Sequence, residues 1–238
     1  MNYRRQSEGG GFSFGGSLST MVRLLVAWNV IFYLIPLVGG RFLRGLDLAI
    51  VYYLGLIPSQ VTGHGWLWQL ASYMFLHGSF FHILLNMLAL WMFGSELEYL
   101  WGSRRFLQYY FITGIGAAIT NTLLQPHSMV PIIGASGAIY GLLLAYGMYF
   151  PDRRIYLYFL FPIRAKYFVI IFGGLELMEA FSRSHDGVAH IAHLGGLLFG
   201  FIYLKAWKWG WFRRRRRNPS IYDIREFRDP EDRDKRWR

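Results

Sequence analysis

Long apolar segments alternate with short polar ones along most of the chain. Six of the apolar segments reach the length at which a helix can cross a bilayer, roughly 17–25 residues. We place these predicted helices, numbered one to six, near residues 21–38, 73–94, 105–124, 134–150, 166–182 and 188–208. The pattern predicts an all-α, polytopic membrane protein. Its six-helix bundle, residues 21–208, is flanked by a flexible cytoplasmic segment 1–20 and a basic, charged cytoplasmic tail 209–238.

Basic residues in the polar segments give the predicted helices an orientation. Lysine and arginine accumulate on the cytoplasmic side of membrane proteins. With the N-terminus inside, the cytoplasmic segments carry most of the basic residues, whereas the external ones keep only Arg41, Arg44 and Arg183. Both termini are therefore expected in the cytoplasm. The first external segment, 39–72, contains aromatic stretches such as "GWLWQLASYMF", which favour a loop lying in the membrane interface.

Composition supports this class and narrows the chemistry. Hydrophobic residues make up 54% of the chain and charged residues 16%, as expected for a membrane protein. The absence of cysteine excludes disulfides and a thiol nucleophile. The net charge of +11 is concentrated in the run Arg213 to Arg217 and the tail after it, directly behind an apolar helix. This position favours a cytoplasmic anchor, and we expect no nucleic-acid partner.

Polar residues concentrate in the first turns of predicted helices two, four and six. These three helices run from outside to inside, so their first turns lie at a similar depth. The polar residues there are His77, His82 and Asn86, then Ser136, then His190 and His193. A single polar residue in a membrane helix often bonds only to its own or a neighbouring helix. Three groups that converge at one depth predict a functional site, because polar groups inside a bilayer are costly.

Small residues indicate which of these helices meet. Predicted helix four contains Gly137 and Gly141, and predicted helix six contains Gly196 and Gly200, a spacing that permits close approach of helix backbones. His193 lies on the face of helix six that carries the glycines. The spacing therefore places Ser136 and His193 near one another.

The residues at this site are suited to acyl transfer. Ser136 needs a base to become a nucleophile, and His193 is the base that the predicted packing offers. No carboxylate lies in the same turns of helices four or six, although Asp186 is nearby in the loop, so we predict a Ser–His dyad with Tyr140 packed against the imidazole. His82 and Asn86, four residues apart, could donate hydrogen bonds to an oxyanion together with the backbone N–H of Ser136.

Three motifs, between about Trp68 and Trp207, carry a family resemblance. They are "HGSFFHILLNM", "GASGAIYG" and "AHLGGLLFG", and in this order they resemble the rhomboid intramembrane serine proteases of the prokaryotic, six-helix type. The resemblance implies hydrolysis of peptide bonds in or near transmembrane segments of other membrane proteins, without metal or cofactor. It also implies the following roles: Ser136 as nucleophile, His193 as general base and acid, Tyr140 as its packing partner, His82, Asn86 and the Ser136 N–H as oxyanion donors, Gly134 as the residue shaping the loop, and His77 as a supporting residue.

Two features of the sequence depart from the family pattern or have no role in it. Many members carry Trp-Arg in the first external loop, where this chain has Trp68-Gln69, so anchoring of the loop is in question. Glu176 and Glu179 lie in predicted helix five. They would reach interfacial water if they lie near its external end, or influence substrate access or the pKa of His193 if they face the bundle.

Two other function classes agree less well with the sequence. The histidines suggest a metal-dependent hydrolase, but the chain lacks HExxH and has no carboxylate beside the histidines on the same helices. A non-catalytic, rhomboid-like binder of membrane proteins would be expected to lose the serine or the histidine, and this chain keeps both. Since no organelle transit signal or signal peptide is evident, we expect a multi-pass protein of the prokaryotic plasma membrane.

Overall fold

The computed structural model of the chain describes residues 17–157, 161–181 and 189–217, with side chains in the last range described as far as Trp207. The predicted tail beyond residue 217, most of the predicted segment 1–20, Arg183 and Asp186 lie outside the described residues. The boundary between two compact units falls after Phe201. The first unit contains all of the described helices and strands except the end of the last helix.

The described residues are mainly helical. Their α-helices are α1 Thr20–Gly39, α2 Leu46–Leu54, α3 Pro58–His64, α4 Gln69–Ser72, α5 Phe80–Ala89, α6 Ser95–Trp101, α7 Ser103–Leu124, α8 Ser136–Tyr149, α9 Ala165–Phe181 and α10 His190–Arg217. A π-helical segment, Leu90–Gly94, joins α5 to α6, so that Phe80–Trp101 forms one helical segment of 22 residues. Within the described residues, this segment and Thr20–Gly39 are long and apolar enough to cross a membrane by length and composition.

The start of predicted helix two is wrong by several residues. The prediction begins it at residue 73, whereas Tyr73–Phe75 form a separate 3-10 turn and α5 begins only at Phe80. Ser79 sets the new start, because it has extended backbone and its hydroxyl accepts a hydrogen bond from the N–H of His82 at 3.2 Å. His77 therefore lies before the helix and not in its first turns.

The segment between α1 and α5 is folded and not a plain linker. It contains α2, α3 and α4, and its aromatic side chains pack together: the ring of Trp66 stacks on Trp68 at 5.3 Å and on Tyr53 at 5.6 Å. Gln69, which is fully buried, joins these pieces. Its Oε1 accepts from the N–H of Ile57 and its Nε2 donates to the carbonyl of Tyr52, both at 2.9 Å. The amide therefore anchors this loop without the arginine that the family pattern would supply.

A short antiparallel hairpin lies between α8 and α9. Its strands are β1 Arg154–Leu157 and β2 Phe161–Arg164, and Arg154 pairs with Arg164. Beside the hairpin, Lys166 Nζ donates to Asp152 Oδ1 at 2.8 Å, and this hydrogen bond lowers the pKa of the Asp152 carboxyl. Basic residues thus cluster at the end of α8 opposite to Ser136.

Helix α8 is the central helix and α1 is peripheral. Nine of the 14 residues of α8 are buried, against three of the 20 residues of α1. Helix α1 exposes large apolar side chains, including Leu24, Trp28 and Val38, each about half accessible. A long helix that is apolar all round and yet largely uncovered by protein is typical of a helix that faces lipid. Ser136 is the first residue of this central helix.

Candidate active site

Ser136 is held at the N-terminus of α8 by the loop before it. Ala135 is the buried N-cap residue, while Ser136 itself is partly exposed. The N–H of Gly134 donates to the carbonyl of Tyr73 at 2.9 Å, which ties the loop to the turn before α5. The first N–H groups of a helix have no partner within the helix and carry the positive end of its dipole. The Ser136 hydroxyl is thus placed beside groups that favour a developing negative charge.

Gly134 is required in this loop for two independent reasons. Its φ of +125° lies in a region that residues with a side chain rarely adopt. A Cβ atom at this position would also lie 2.7 Å from Nε2 of His82, too close for ordinary contact. The same point is 3.7 Å from Oγ of Ser136, so the glycine leaves room for both the imidazole of His82 and the serine hydroxyl.

His193 lies directly beside the serine. Its Nε2 is 2.8 Å from Oγ of Ser136, and only 7% of His193 is exposed. The glycines account for this approach: a Cβ on Gly196, one turn after His193, would overlap the carbonyl oxygen of Gly137 in α8. Helices α8 and α10 therefore meet backbone to backbone next to the Ser136–His193 pair, as the small-residue spacing indicates.

Tyr140 packs on the imidazole of His193. The two rings are stacked, with centroids 4.4 Å apart and an angle of 16° between their planes. Tyr140 follows Ser136 by one turn of α8, so one helix supplies both the hydroxyl and the surface that supports the histidine. The stacking fixes the plane of the imidazole.

Glu176 of α9 joins this group and was not included in the predicted site. It is 8% exposed, and its Oε2 lies 2.7 Å from Nδ1 of His190 and 3.0 Å from Nδ1 of His193. Its Oε1 accepts a hydrogen bond from the hydroxyl of Tyr140. Of the two alternatives considered for Glu176, the structure shows the one in which it faces the bundle, whereas Glu179 is exposed. An ionisable residue in an apolar helix is itself a signal of a functional site, and this signal could have identified Glu176.

The remaining predicted residues lie close to His82. The ring of His77 meets that of His82 edge to face, with centroids 4.9 Å apart. Asn86 is buried, and its Nδ2 donates to the carbonyl of His82 at 2.8 Å. One N–H of this amide therefore serves its own helix, and the oxyanion role of Asn86 stays a prediction.

The cluster of Glu176, His190 and His193 also contains the donor types that a metal ion uses. Its three ligand atoms lie within 4.8 Å of one another. The carboxylate comes from α9, whereas both histidines belong to α10. The Tyr140 hydroxyl and the imidazoles of His190 and His193 already surround the carboxylate.

Comparison with known proteins gives the family. Residues 64–208, more than half of the chain, match the Rhomboid domain family. The chain is similar to rhomboid protease AarA of Providencia stuartii, at 30% identity over 80% of this chain and 73% of the relative. It is also similar to rhomboid protease GluP of Bacillus subtilis (strain 168), at 30% identity over 84% of this chain and 36% of the relative.

A eukaryotic relative matches a shorter part of the chain. Rhomboid protein 1, mitochondrial, of Saccharomyces cerevisiae is 32% identical over 58% of this chain and 39% of that protein. The chain spans from about a third to three fifths of the length of the first relatives that it matches. The Rhomboid match and the similarity to AarA along most of both chains lead to one conclusion: this chain belongs to the rhomboid family.

Proposed function

We propose that the protein is an intramembrane serine endopeptidase that hydrolyses peptide bonds in or near transmembrane segments of other membrane proteins. The distance of 2.8 Å between Oγ of Ser136 and Nε2 of His193 carries this proposal. A hydroxyl becomes an effective nucleophile when a neighbouring base can take its proton in the transition state. The protease names of AarA and GluP support the same reaction class.

The reaction would proceed through an acyl-enzyme. Oγ of Ser136 attacks the scissile carbonyl carbon while His193 Nε2 takes the hydroxyl proton, and the carbonyl oxygen becomes an oxyanion. When the tetrahedral intermediate collapses, the C–N bond breaks and the imidazolium gives its proton to the leaving amine. Water then attacks the Ser136 ester with His193 again acting as base, which releases the acid product and restores the serine.

The oxyanion would be stabilised at the start of α8. His82 lies across Gly134 from Ser136, and the Ser136 N–H belongs to the first turn of the helix. We propose that His82, the second N–H of the Asn86 amide and this backbone N–H point to the developing charge. Donors that are fixed before the reaction need no reorganisation when the charge forms.

We also propose the arrangement of the protein in the membrane. Six helical segments, α1, Phe80–Trp101, α7, α8, α9 and the first part of α10, would cross the bilayer with both chain termini in the cytoplasm. Helix α8 has 14 residues and is therefore ~21 Å long, against ~30 Å for the hydrocarbon core. If its C-terminal end lies near the cytoplasmic surface, Ser136 lies recessed below the external one, where water and an unwound substrate segment can reach it. The lipid bilayer of a prokaryotic cell is the proposed location.

A cleavage assay tests the proposed function. The purified protein in liposomes should cut a single-span substrate near its external end, after a small residue where the helix is easily unwound, because a regular helix hides its carbonyl groups. Ser136→Ala and His193→Ala should each abolish cleavage while the melting temperature in detergent stays close to that of the wild type. A chelator should leave the rate unchanged. Cleavage at the wild-type rate by Ser136→Ala would contradict the proposal, and a folded wild type that binds the substrate without cutting it would favour the non-catalytic binder.

A further inference from the structure

We propose that Glu176 is a positioning residue that holds His193 in the tautomer and orientation required of a general base. Ser136, His193 and Glu176 would then act together as a triad. This inference rests on the proposed protease function and extends the dyad expected from sequence. It assigns a role to a carboxylate on a helix that contributes neither the serine nor the histidine.

The two ring nitrogens of His193 face different partners. Nε2 faces the hydroxyl of Ser136 at 2.8 Å, and Nδ1 faces Oε2 of Glu176 at 3.0 Å. A neutral imidazole carries a proton on one nitrogen and a lone pair on the other. An ionised carboxylate can only accept, so Glu176 favours the proton on Nδ1. The lone pair is then on Nε2, which is the form of His193 that can take the proton of Ser136.

The carboxylate also opposes the charge that forms on His193. When the serine proton moves to Nε2, the imidazole of His193 becomes a cation. Less than a tenth of His193 is exposed to solvent, so water contributes little to stabilising this charge. Nearby opposite charge stabilises a cation far more in such surroundings than in water. Glu176 would therefore stabilise the transition state more than the resting enzyme, which is the condition for raising kcat.

The contact between Glu176 and His193 is close but not aligned in this structure. Nδ1 of His193 makes no well-directed hydrogen bond, whereas Oε2 forms one with Nδ1 of His190 at 2.7 Å. Hydrogen bonds between catalytic groups are often poorly aligned before the substrate binds and tighten in the reacting complex. A small rotation of the carboxylate would align Oε2 with His193 while His190 keeps Glu176 in the site.

Glu176 supports His193 by a second route through Tyr140. The Tyr140 hydroxyl donates to Oε1 of Glu176, and its ring stacks on the imidazole of His193. The same carboxylate therefore lies at the edge of the imidazole and holds the ring that covers its face. Glu176 is satisfied in turn by Tyr140 and His190, which explains how an ionisable group is accommodated among buried residues.

Matched glutamine variants test this role. Glu176→Gln keeps the size of the side chain but removes its charge and offers an N–H₂ group where His193 needs an acceptor. Glu179→Gln makes the same change on the exposed surface of α9 and serves as the control. The rates of cleavage in liposomes and of covalent labelling of Ser136 by a fluorophosphonate should be measured for the wild type and both variants. The labelling rate reports on the nucleophile without depending on substrate access.

We expect Glu176→Gln to lower kcat and the labelling rate together by ~100-fold or more, with KM changed by less than about threefold, because the wrong tautomer of the base affects chemistry and not binding. Glu179→Gln should retain the wild-type values. If Glu176→Gln does not fold, Glu176→Asp provides a second test. It keeps the charge on a side chain that is one methylene shorter, and Ser136 in this variant should be labelled more slowly than in the wild type. The proposal would be overturned if a folded Glu176 variant kept the wild-type kcat and labelling rate. It would also be overturned if only the melting temperature or KM changed. A wild type that neither labels at Ser136 nor cleaves would instead defeat the protease function itself.

Discussion

Two glutamates, Glu98 and Glu176, are buried to a similar extent but have different hydrogen-bonding partners. Glu98 of α6 is 4% exposed and Glu176 of α9 is 8% exposed. The carboxylate of Glu98 accepts from the hydroxyl of Ser19 at 2.5 Å, from that of Ser103 at 2.6 Å and from the N–H groups at the start of α1. None of these donors changes its protonation near neutral pH. Glu98 therefore joins the starts of α1 and α7 to α6.

Glu176 has partners that can take part in proton transfer. Two of them are imidazoles, and one of these lies 2.8 Å from a serine hydroxyl. Burial and satisfied hydrogen bonds are thus shared by a structural carboxylate and by one at the candidate active site. What distinguishes the two is the chemistry of the groups around each carboxylate. The comparison predicts that changes near Glu176 affect the reaction rate and that changes at Glu98 affect stability.

The largest effect in this comparison is expected at His82, which belongs to the candidate active site, as Glu176 does. His82→Ala should lower the rate of cleavage by ~10- to 1000-fold, the range for loss of one oxyanion donor. The melting temperature should remain close to that of the wild type, since His82 is only partly buried. Cleavage kinetics on the folded variant provide the check. An unchanged rate would remove His82 from the oxyanion site.

An intermediate effect of the opposite kind is expected at Glu98. Glu98→Gln should lower the free energy of unfolding by about 1–3 kcal/mol, because the amide cannot accept from all of the donors and brings N–H groups that face other donors. Unfolding in detergent measures this loss. The cleavage rate per folded molecule should stay at the wild-type value, and a fall in that rate with no loss of stability would break the distinction between the two glutamates.

The smallest effect is expected at Tyr140, which separates the two ways in which Glu176 acts on His193. Tyr140→Phe removes the hydroxyl that bonds to Glu176 but keeps the ring that stacks on His193. We expect a reduction in kcat of about 2- to 10-fold, the scale of one hydrogen bond in a site where the other contacts remain. A reduction as large as that of Glu176→Gln would mean that the carboxylate acts mainly through Tyr140.

The sequence predicts the geometry around Ser136 better than the boundaries of the helices. The spacing of Gly137, Gly141, Gly196 and Gly200 indicates which helices meet, and in the structure α8 and α10 approach through these glycines. The roles of Ser136 and His193 remain predictions that the assays above test. Helix α5 begins later than the apolar pattern predicts, because the apolar run includes residues 73–76 but the capping hydroxyl of Ser79 determines where the helix begins.

Glu176 and Gln69 show what the sequence pattern does not contain. Helix α9 is apolar around nearly its whole circumference, so no periodicity marks the face on which Glu176 meets the bundle. Its partners lie on two other helices, Tyr140 on α8 and the two histidines on α10, so predicting them requires the packing of all three helices. In the sequence, Gln69 is noticed only because it stands where the family pattern has an arginine. In the structure, its amide binds backbone groups of Ile57 and Tyr52, and such contacts cannot be predicted from a pattern of side chains.

The proposed function depends most on Ser136 being a nucleophile that is activated by His193. The most direct measurement is to label the intact protein in liposomes with a fluorophosphonate, digest it and identify the modified peptide by mass spectrometry. We expect one modification, on Ser136, that is lost in His193→Ala. Labelling at another residue, or labelling of Ser136 at the same rate in His193→Ala, would contradict it.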